Sequence, residues 1–326
     1  TNYAYGFSLT MDAKITEDAN LRLLASDRSS NYEAGLDDDG FSDDFLSFPE
    51  EGEANQQSVE LQLTGKPGAI DYVVGLYWYE EKGHNFQDDT TFNGGPGGDF
   101  FLKQKTTSKA AYANVGYQVN EALRIAAGVR HTEDEKSAAV QLIVPGVFDV
   151  QTEDDHDWSE TSWDVSASYK LNDRMTMYGT VQSGYQSGQY PARPYCLIGS
   201  FNFGTGVLAR PNCFEAPDNI TALNYELGLK GQPFEFMQSS IAVFYTDYKD
   251  LPYQVSTTTG GGFSTANLIV DQTSKGIELE NTFQFGSNFR LHTTLGYIDA
   301  DVKGGIPFAV APLTPELTTS ISPELT

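Results

Sequence analysis

From Trp163 to Gly188 apolar and polar residues alternate so regularly that few conformations can carry them. Trp163, Val165, Ala167, Tyr169 and Leu171 interleave with Asp164, Ser166, Ser168 and Lys170, and a strand puts these two sets on opposite faces. Asn172, Asp173 and Arg174 are the residue types of a tight turn. Met175, Met177, Gly179 and Val181 then interleave with Thr176, Tyr178, Thr180 and Gln182. The pattern predicts a long, half-buried hairpin. Each arm reaches the roughly 9–11 residues that a tilted strand needs to cross a bilayer.

The same unit recurs along the chain. Tyr3, Tyr5, Phe7, Leu9 and Met11 begin the series, and later arms carry Val59, Leu61 and Leu63, then Ile70, Tyr72, Val74, Leu76 and Trp78. Short turns are expected at Thr16 to Ala19, Lys66 to Gly68, Asn120-Glu121, Asn172 to Arg174, Gly231-Gln232-Pro233 and Gly286-Ser287-Asn288. Between them fall long connections. These run from Tyr32 to about Gln56, from Gly83 to about Phe101, through Pro145 to Trp158, and from Gln189 to about Asn219. A Thr/Gly-rich stretch before Ile277 and the segment from Asp299 to Pro312 complete them. The count is about thirteen strands. Short connections on one side and long ones on the other are the arrangement of an outer-membrane barrel, which also carries an aromatic girdle at each interface. Tyr117, Tyr169, Phe283, Phe285 and Phe289 lie near the short turns; Trp78, Tyr79 and Trp158 lie near the long connections.

Composition agrees with an all-β antiparallel transmembrane barrel section. Aromatic residues are 13% of the chain, with 31 glycines, which favours strands. No apolar run approaches the roughly 20 residues of a membrane helix. Mean hydropathy is negative, which a barrel tolerates because only every second wall residue faces lipid. The alternative is a soluble β-sandwich or propeller, whose strands average about 5 or 6 residues, shorter than several here. A net charge of −25 leaves no basic stripe for nucleic acid. No secretory leader is visible, and the chain starts and stops inside the alternating pattern, so the expectation is a partial barrel.

Tyr178 to Tyr190 reads YGTVQSGYQSGQY. It resembles a strand of TonB-dependent outer-membrane receptors, Tyr-Ala-x-x-x-x-Gly-Tyr/Phe-Lys-Ser-Gly-Gly-Phe, with Gln186 in place of Lys and Gln189-Tyr190 in place of Gly-Phe. Gly128 to Thr132 (GVRHT), Asn224 to Lys230 (NYELGLK), Ala242 to Asp250 (AVFYTDYKD) and Lys275 to Glu280 (KGIELE) resemble further segments of that family in the same order. The resemblance covers about Tyr72 to Thr326. It implies part of a barrel of about 22 strands closed by a plug, with the plug and the C-terminal closing strands absent from residues 1–326.

Cys196 and Cys213 are the two cysteines, both in the longest connection. A disulfide at an oxidising cell surface is expected, worth roughly 3 kcal/mol for a loop of this size. Two thiols without a nearby His leave a zinc site incomplete. Asp37-Asp38-Asp39-Gly40 with Asp43-Asp44, and Glu153 to Asp157 around His156, lack the ligand spacing of a calcium loop and read as solvated acidic loops. No cofactor or metal is expected. Nucleophile elbows and His-Glu-x-x-His are absent, so no catalytic residue is assigned. Arg124, Arg130, Glu226, Lys230, Glu278, Glu280 and Arg290 occupy polar positions of the alternation and are expected to face the lumen and contact a plug. Tyr190, Arg193 and Tyr195, where the longest connection leaves the wall, are the candidate ligand residues.

The resemblance implies a receptor of the Gram-negative outer membrane that takes up a scarce nutrient, an iron-siderophore complex first among candidates. Its partners would be the TonB complex reached through the plug, membrane lipid and lipopolysaccharide, and the small-molecule ligand. The rival reading is a passive porin-like or ligand-binding barrel without energy coupling.

Overall fold

The computed structural model describes residues 2–37, 46–87, 91–92, 95–96, 98–144, 146, 148–190, 201–202, 207–208, 214–259, 262–304 and 314–325. The strands are β1 (Tyr3–Lys14), β2 (Ala19–Asp37), β3 (Leu46–Gly65), β4 (Ile70–Gln87), β5 (Thr91–Phe92), β6 (Gly95–Pro96), β7 (Asp99–Gln118), β8 (Leu123–Val144) and β9 (Phe148–Lys170). They continue as β10 (Met175–Gln186), β11 (Phe201–Asn202), β12 (Val207–Leu208), β13 (Ile220–Phe234), β14 (Met237–Thr259), β15 (Gly262–Phe285), β16 (Phe289–Lys303) and β17 (Leu317–Leu325). The thirteen long strands pair in chain order as one antiparallel meander, with β5 and β6 attached at the end of β3 and β11 paired with β12. No described helix is long and apolar enough to cross a membrane.

Most of what the sequence predicts as long loop is continued hairpin. β8 and β9 stay in register from Leu123 opposite Tyr169 to Val144 opposite Phe148. The acidic runs Glu133 to Glu135 and Glu153 to Asp157 therefore lie in strands of one ladder, meeting directly at Glu135 opposite Asp157. Backbone pairing needs no apolar residue, so a hairpin bathed in water on both faces loses the alternation that reveals it lower down. The turn expected at Gly231-Gln232-Pro233 is also displaced. β13 runs on to Phe234, with a bulge between Gly231 and Phe234. Gly231 has φ +148, and a Cβ there would stand 1.9 Å from Arg174 O. Gly231→Ala should therefore cost about 1–3 kcal/mol and disturb the 2.9 Å bond from Gln232 N to Arg174 O. Urea titration of the folded receptor checks this, and an unchanged midpoint would contradict it.

Register divides the sheet into two faces. On one, Val129 opposes Trp163, Val165 opposes Ala127 and Val181, and Leu227 opposes Val243, which opposes Ile277. Trp163, Val165, Leu223, Leu227, Ile241, Leu291 and Leu295 share this face, as the alternation predicts. Val165 is 51% and Leu227 53% exposed, so the face is apolar without being covered. The apolar stretch ends sharply on eight of the strands: Asp27, Glu80, Lys109, His131, Thr161, Asp247, Lys275 and Asp299 follow it on the same face. It thus forms a belt about nine or ten residues tall, the span of a tilted membrane strand. Above the belt this face pairs some of its charges. Glu80 meets Lys82 at 2.7 Å and Lys105 at 3.1 Å, Lys249 meets Asp271 at 2.8 Å, and Lys275 meets Asp299 at 3.0 Å.

At the short-turn edge Phe234, Phe236, Phe283, Phe285 and Phe289 stack at 5.6–6.2 Å between ring centroids. Tyr117 and Tyr169 are exposed on the same face. At the other edge the expected girdle is corrected. Trp78 opposes Val59 on the apolar face, but Tyr79 opposes Ser58, and Trp158 opposes Asp134, on the polar face. Consecutive residues of a strand point to opposite sides, so Trp78 and Tyr79 cannot both belong to one girdle.

Candidate functional site

The polar face carries a recurrent pair: a tyrosine hydroxyl donating to a carboxylate. Tyr79 donates to Glu81 at 2.7 Å, Tyr112 to Glu60 at 2.5 Å, Tyr178 to Glu226 at 2.7 Å, Tyr185 to Asp134 at 3.1 Å and Tyr190 to Asp154 at 2.9 Å. Two of these rings lie flat because the neighbouring strand offers a glycine. A Cβ at Gly75 would stand 2.4 Å from the Tyr112 ring, and one at Gly228 would stand 2.5 Å from the Tyr178 ring. The ring covers backbone that a side chain would otherwise fill, and its hydroxyl then reaches the next carboxylate.

Every polar-face residue named from the sequence lies on this wall. Arg124 bonds Asp71 at 2.6 Å. Both side chains remain over a third exposed, so Asp71→Asn should cost no more than about 1 kcal/mol, readable as a small shift in urea midpoint. Arg130 lies over the rings of Tyr77 and Tyr112 at 5.4 and 5.5 Å, and its Nε donates to Thr132 at 3.1 Å. Lys230 lies over the ring of Tyr178 at 5.2 Å, whose hydroxyl donates to Glu226. Arg290 donates to Gln284 at 3.1 Å and to Glu324 at 3.4 Å. Glu278 opposes Gly296 and Glu280 opposes Thr294. These groups are spread along the wall rather than gathered into one constellation.

A second assembly forms where β10 parts from β9. Pairing between them ends at Asp164 opposite Gln182, and Trp163 N donates to Ser183 Oγ at 2.7 Å instead. The chain from Ser187 to Tyr190 and from Phe214 to Asn219 then packs on the polar face of the tall β7-β8-β9 hairpins. Phe100, Leu102, Ala138, Val140, Leu142, Tyr190 and Phe214 form a buried cluster, with Ala216 against it. Tyr190 stacks on Phe214 at 5.4 Å. Asp154 ties the segment twice, accepting from Tyr190 and, at 3.2 Å, from Ala216 N. Asn219 donates to Glu160 at 3.1 Å and Lys136 donates to Gly188 O at 2.8 Å. Gly188 admits no side chain, since a Cβ would stand 2.0 Å from Pro217 O.

Tyr190 is thus buried, its hydroxyl committed to Asp154. Arg193, Tyr195, Cys196 and Cys213, like the acidic residues Asp38 to Asp44, lie outside the described residues. Burial and the Asp154 carboxylate hold the Tyr190 hydroxyl above its ordinary pKa, and burial with Asp134 does the same at Tyr185. Burial pulls Lys136 below the usual lysine range, offset in part by Asp134 and Glu81. The Lys136 ammonium also lies over the Trp158 ring at 5.5 Å, and Trp158 Nε1 is buried with no partner among the described residues.

A cavity of about 400 Å³ opens on this wall beside the assembly, lined by Tyr79, Glu81, Gln104, Thr106, Lys136 and Tyr190 among others. Sequence reasoning assigned no role to Glu81, Lys136, Asp154 or Phe214. A signal existed for Asp154: with His156, Trp158 and Glu160 it occupies every second position of the acidic run. Among the described residues no group of His, Cys, Asp and Glu is placed to hold a metal ion.

No curated protein sequence matches the chain. Among solved structures, the ferric yersiniabactin uptake receptor FyuA from Yersinia pestis superposes with a TM-score of 0.78 at 20% identity, over 98% of this chain and 46% of that one. The siderophore receptor PiuA from Acinetobacter baumannii gives 0.69 at 14% identity, over 98% and 52%. The ferric citrate transporter FecA, unliganded, gives 0.70 at 12%, over 98% and 46%. These likenesses show the fold, and the chain spans about half the length of such structures. The matching proteins are receptors and transporters, not enzymes. Residues 1–324 match the family described as TonB dependent receptor-like, beta-barrel, and the chain belongs to that family.

Proposed function

We propose that residues 1–326 are a section of a larger outer-membrane barrel, and that the whole protein takes up a scarce nutrient, an iron chelate first among candidates, with energy relayed by TonB through a plug. The observation that carries this reading is the two-faced sheet. Its apolar belt has the height of a membrane crossing, and its polar face holds a cavity beside a packed loop root. In this reading the belt meets lipid and the tall hairpins stand among lipopolysaccharide. Arg124, Arg130, Glu226, Lys230, Glu278, Glu280 and Arg290 line the lumen and face the plug. Tyr190, Arg193 and Tyr195 are the candidate ligand residues.

The test is uptake by the full-length receptor in a Gram-negative host lacking its other iron receptors. Labelled ferric chelate should accumulate only when TonB is present. Accumulation that persists without TonB would replace this reading with the passive barrel. In the same preparation, unfolded but unreduced, Cys196 and Cys213 should show no thiol reactive toward Ellman's reagent; two reactive thiols would rule the bridge out.

A further inference from the structure

The two faces of the sheet satisfy part of their acids differently, although the inward Asp12 and Asp71 each meet an arginine at 2.6 Å. On the outward face Glu80, Asp271 and Asp299 each meet a lysine at 3.1 Å or closer. On the inward face Glu60, Glu81, Asp134, Asp154 and Glu226 are each met by a tyrosine hydroxyl. None of these five has a cation at ion-pair distance among the described residues. A hydroxyl satisfies the hydrogen bond of a carboxylate and leaves its charge in place, whereas a lysine cancels it.

Two inward cations of this wall are held by aromatic rings. Arg130 is held between two tyrosine rings, and Lys136 is divided between the Trp158 ring and Gly188 O. Neither presents the forked, unoccupied donor set that grips a polyanion. The cavity is lined by Glu81, Lys136 and Lys105, whose ammonium meets Glu80 at 3.1 Å, and otherwise by uncharged hydrogen-bonding groups, Tyr79, Gln104, Thr106 and Tyr190 among them. Fixed negative charge in a concave, partly desolvated wall raises the local concentration of cations and repels anions.

We infer that this wall selects a ligand with no net negative charge, neutral or cationic and rich in hydrogen-bonding groups, over a polyanionic chelate. The inference rests on the uptake reading above and narrows its ligand class. Recognition would come from the hydroxyl and amide groups of the cavity, and discrimination from the tyrosine-bound carboxylates.

Three ferric probes separate the cases in titrations of the full-length receptor in detergent: a linear trihydroxamate complex of charge about +1, a cyclic neutral trihydroxamate, and a tris-catecholate of about −3. The expected result is binding of the cationic or neutral probe at least about tenfold tighter than the trianion, a preference that shrinks as salt is raised. Glu81→Gln and Asp134→Asn keep an acceptor for the tyrosine and should narrow that preference by about threefold or more. Tris-catecholate binding as tight as, or tighter than, the other two would overturn the inference and leave the uptake reading standing. Binding of none of the three would overturn the ferric reading and the inference with it. A preference unchanged in both variants would overturn the role given to these carboxylates.

Discussion

Leu227→Arg in the full-length receptor is expected to deplete the folded protein from the membrane, while Glu226→Gln, one residue away, leaves it there. Leu227 sits within the apolar belt opposite Gly179 on one side and Val243 on the other, over half exposed, with nothing but hydrocarbon to meet in the proposed orientation. A guanidinium near the bilayer midplane of a barrel costs about 2–4 kcal/mol, a large part of what holds a wall together. Glu226 faces the other way and accepts from Tyr178 at 2.7 Å. A glutamine keeps an acceptor there, so the loss should stay within about 0.5–1.5 kcal/mol. The ratio of heat-modifiable to unfolded band on unheated gels reads both variants. Equal behaviour of the two would mean that the faces are not lipid and lumen. A soluble, detergent-free fold with Leu227 in a closed core would be the structure to look for instead.

The belt was legible because the two faces carry opposite chemistry on successive residues. Trp163 with Asp164, and Leu227 with Glu226, each announce a strand and its orientation. Higher up the cue disappears. Glu153, Asp155 and Asp157 face one way, Asp154, His156 and Trp158 the other, but both sides are polar, and the run reads as loop until its partner strand is seen. The bulge after Tyr248 shows a different failure. Asp250 takes φ +59, and pairing resumes at Leu251 opposite Val270. The parity of β14 is thereby reversed, so Tyr253 reaches Gln272 on the polar face. No count of alternating residues anticipates a bulge.

The inward positions could be read from parity; their partners could not. Tyr112 and Glu60 belong to β7 and β3, with β4 between them, and they meet because Gly75 of β4 lets the ring lie across it. That contact depends on three strand registers at once. The assignment of Tyr190 to the wall region followed from its place at the start of a long connection. Its burial depends on Phe214, which lies on the far side of residues 191–213 and which a reading by neighbours in sequence could not bring alongside.

Phe214→Ala should open that assembly and leave the barrel folded. Phe214 is 1% exposed, stacked on Tyr190 and clustered with Val140 and Leu142, and truncating a phenylalanine so buried costs about 3–5 kcal/mol. The cost is local in consequence. The cluster stands on the tall parts of β7, β8 and β9, above the belt, and ladders such as Leu123 to His131 opposite Tyr169 to Thr161 are paired without it. A segment held by one small cluster and a few polar ties opens as its own unit. Amide exchange at residues 187–190 and 214–219 should therefore accelerate by about a hundredfold or more, while exchange in the belt and the heat-modifiable band stay as they were. Tyr190→Phe is the contrast. It removes one bond to Asp154, which still accepts from Ala216 N, and should cost about 1 kcal/mol with a correspondingly slight change in exchange. Loss of the folded band in Phe214→Ala would make the cluster part of the barrel's own stability. Unchanged exchange would mean that residues 214–219 are held by the wall through contacts other than Phe214.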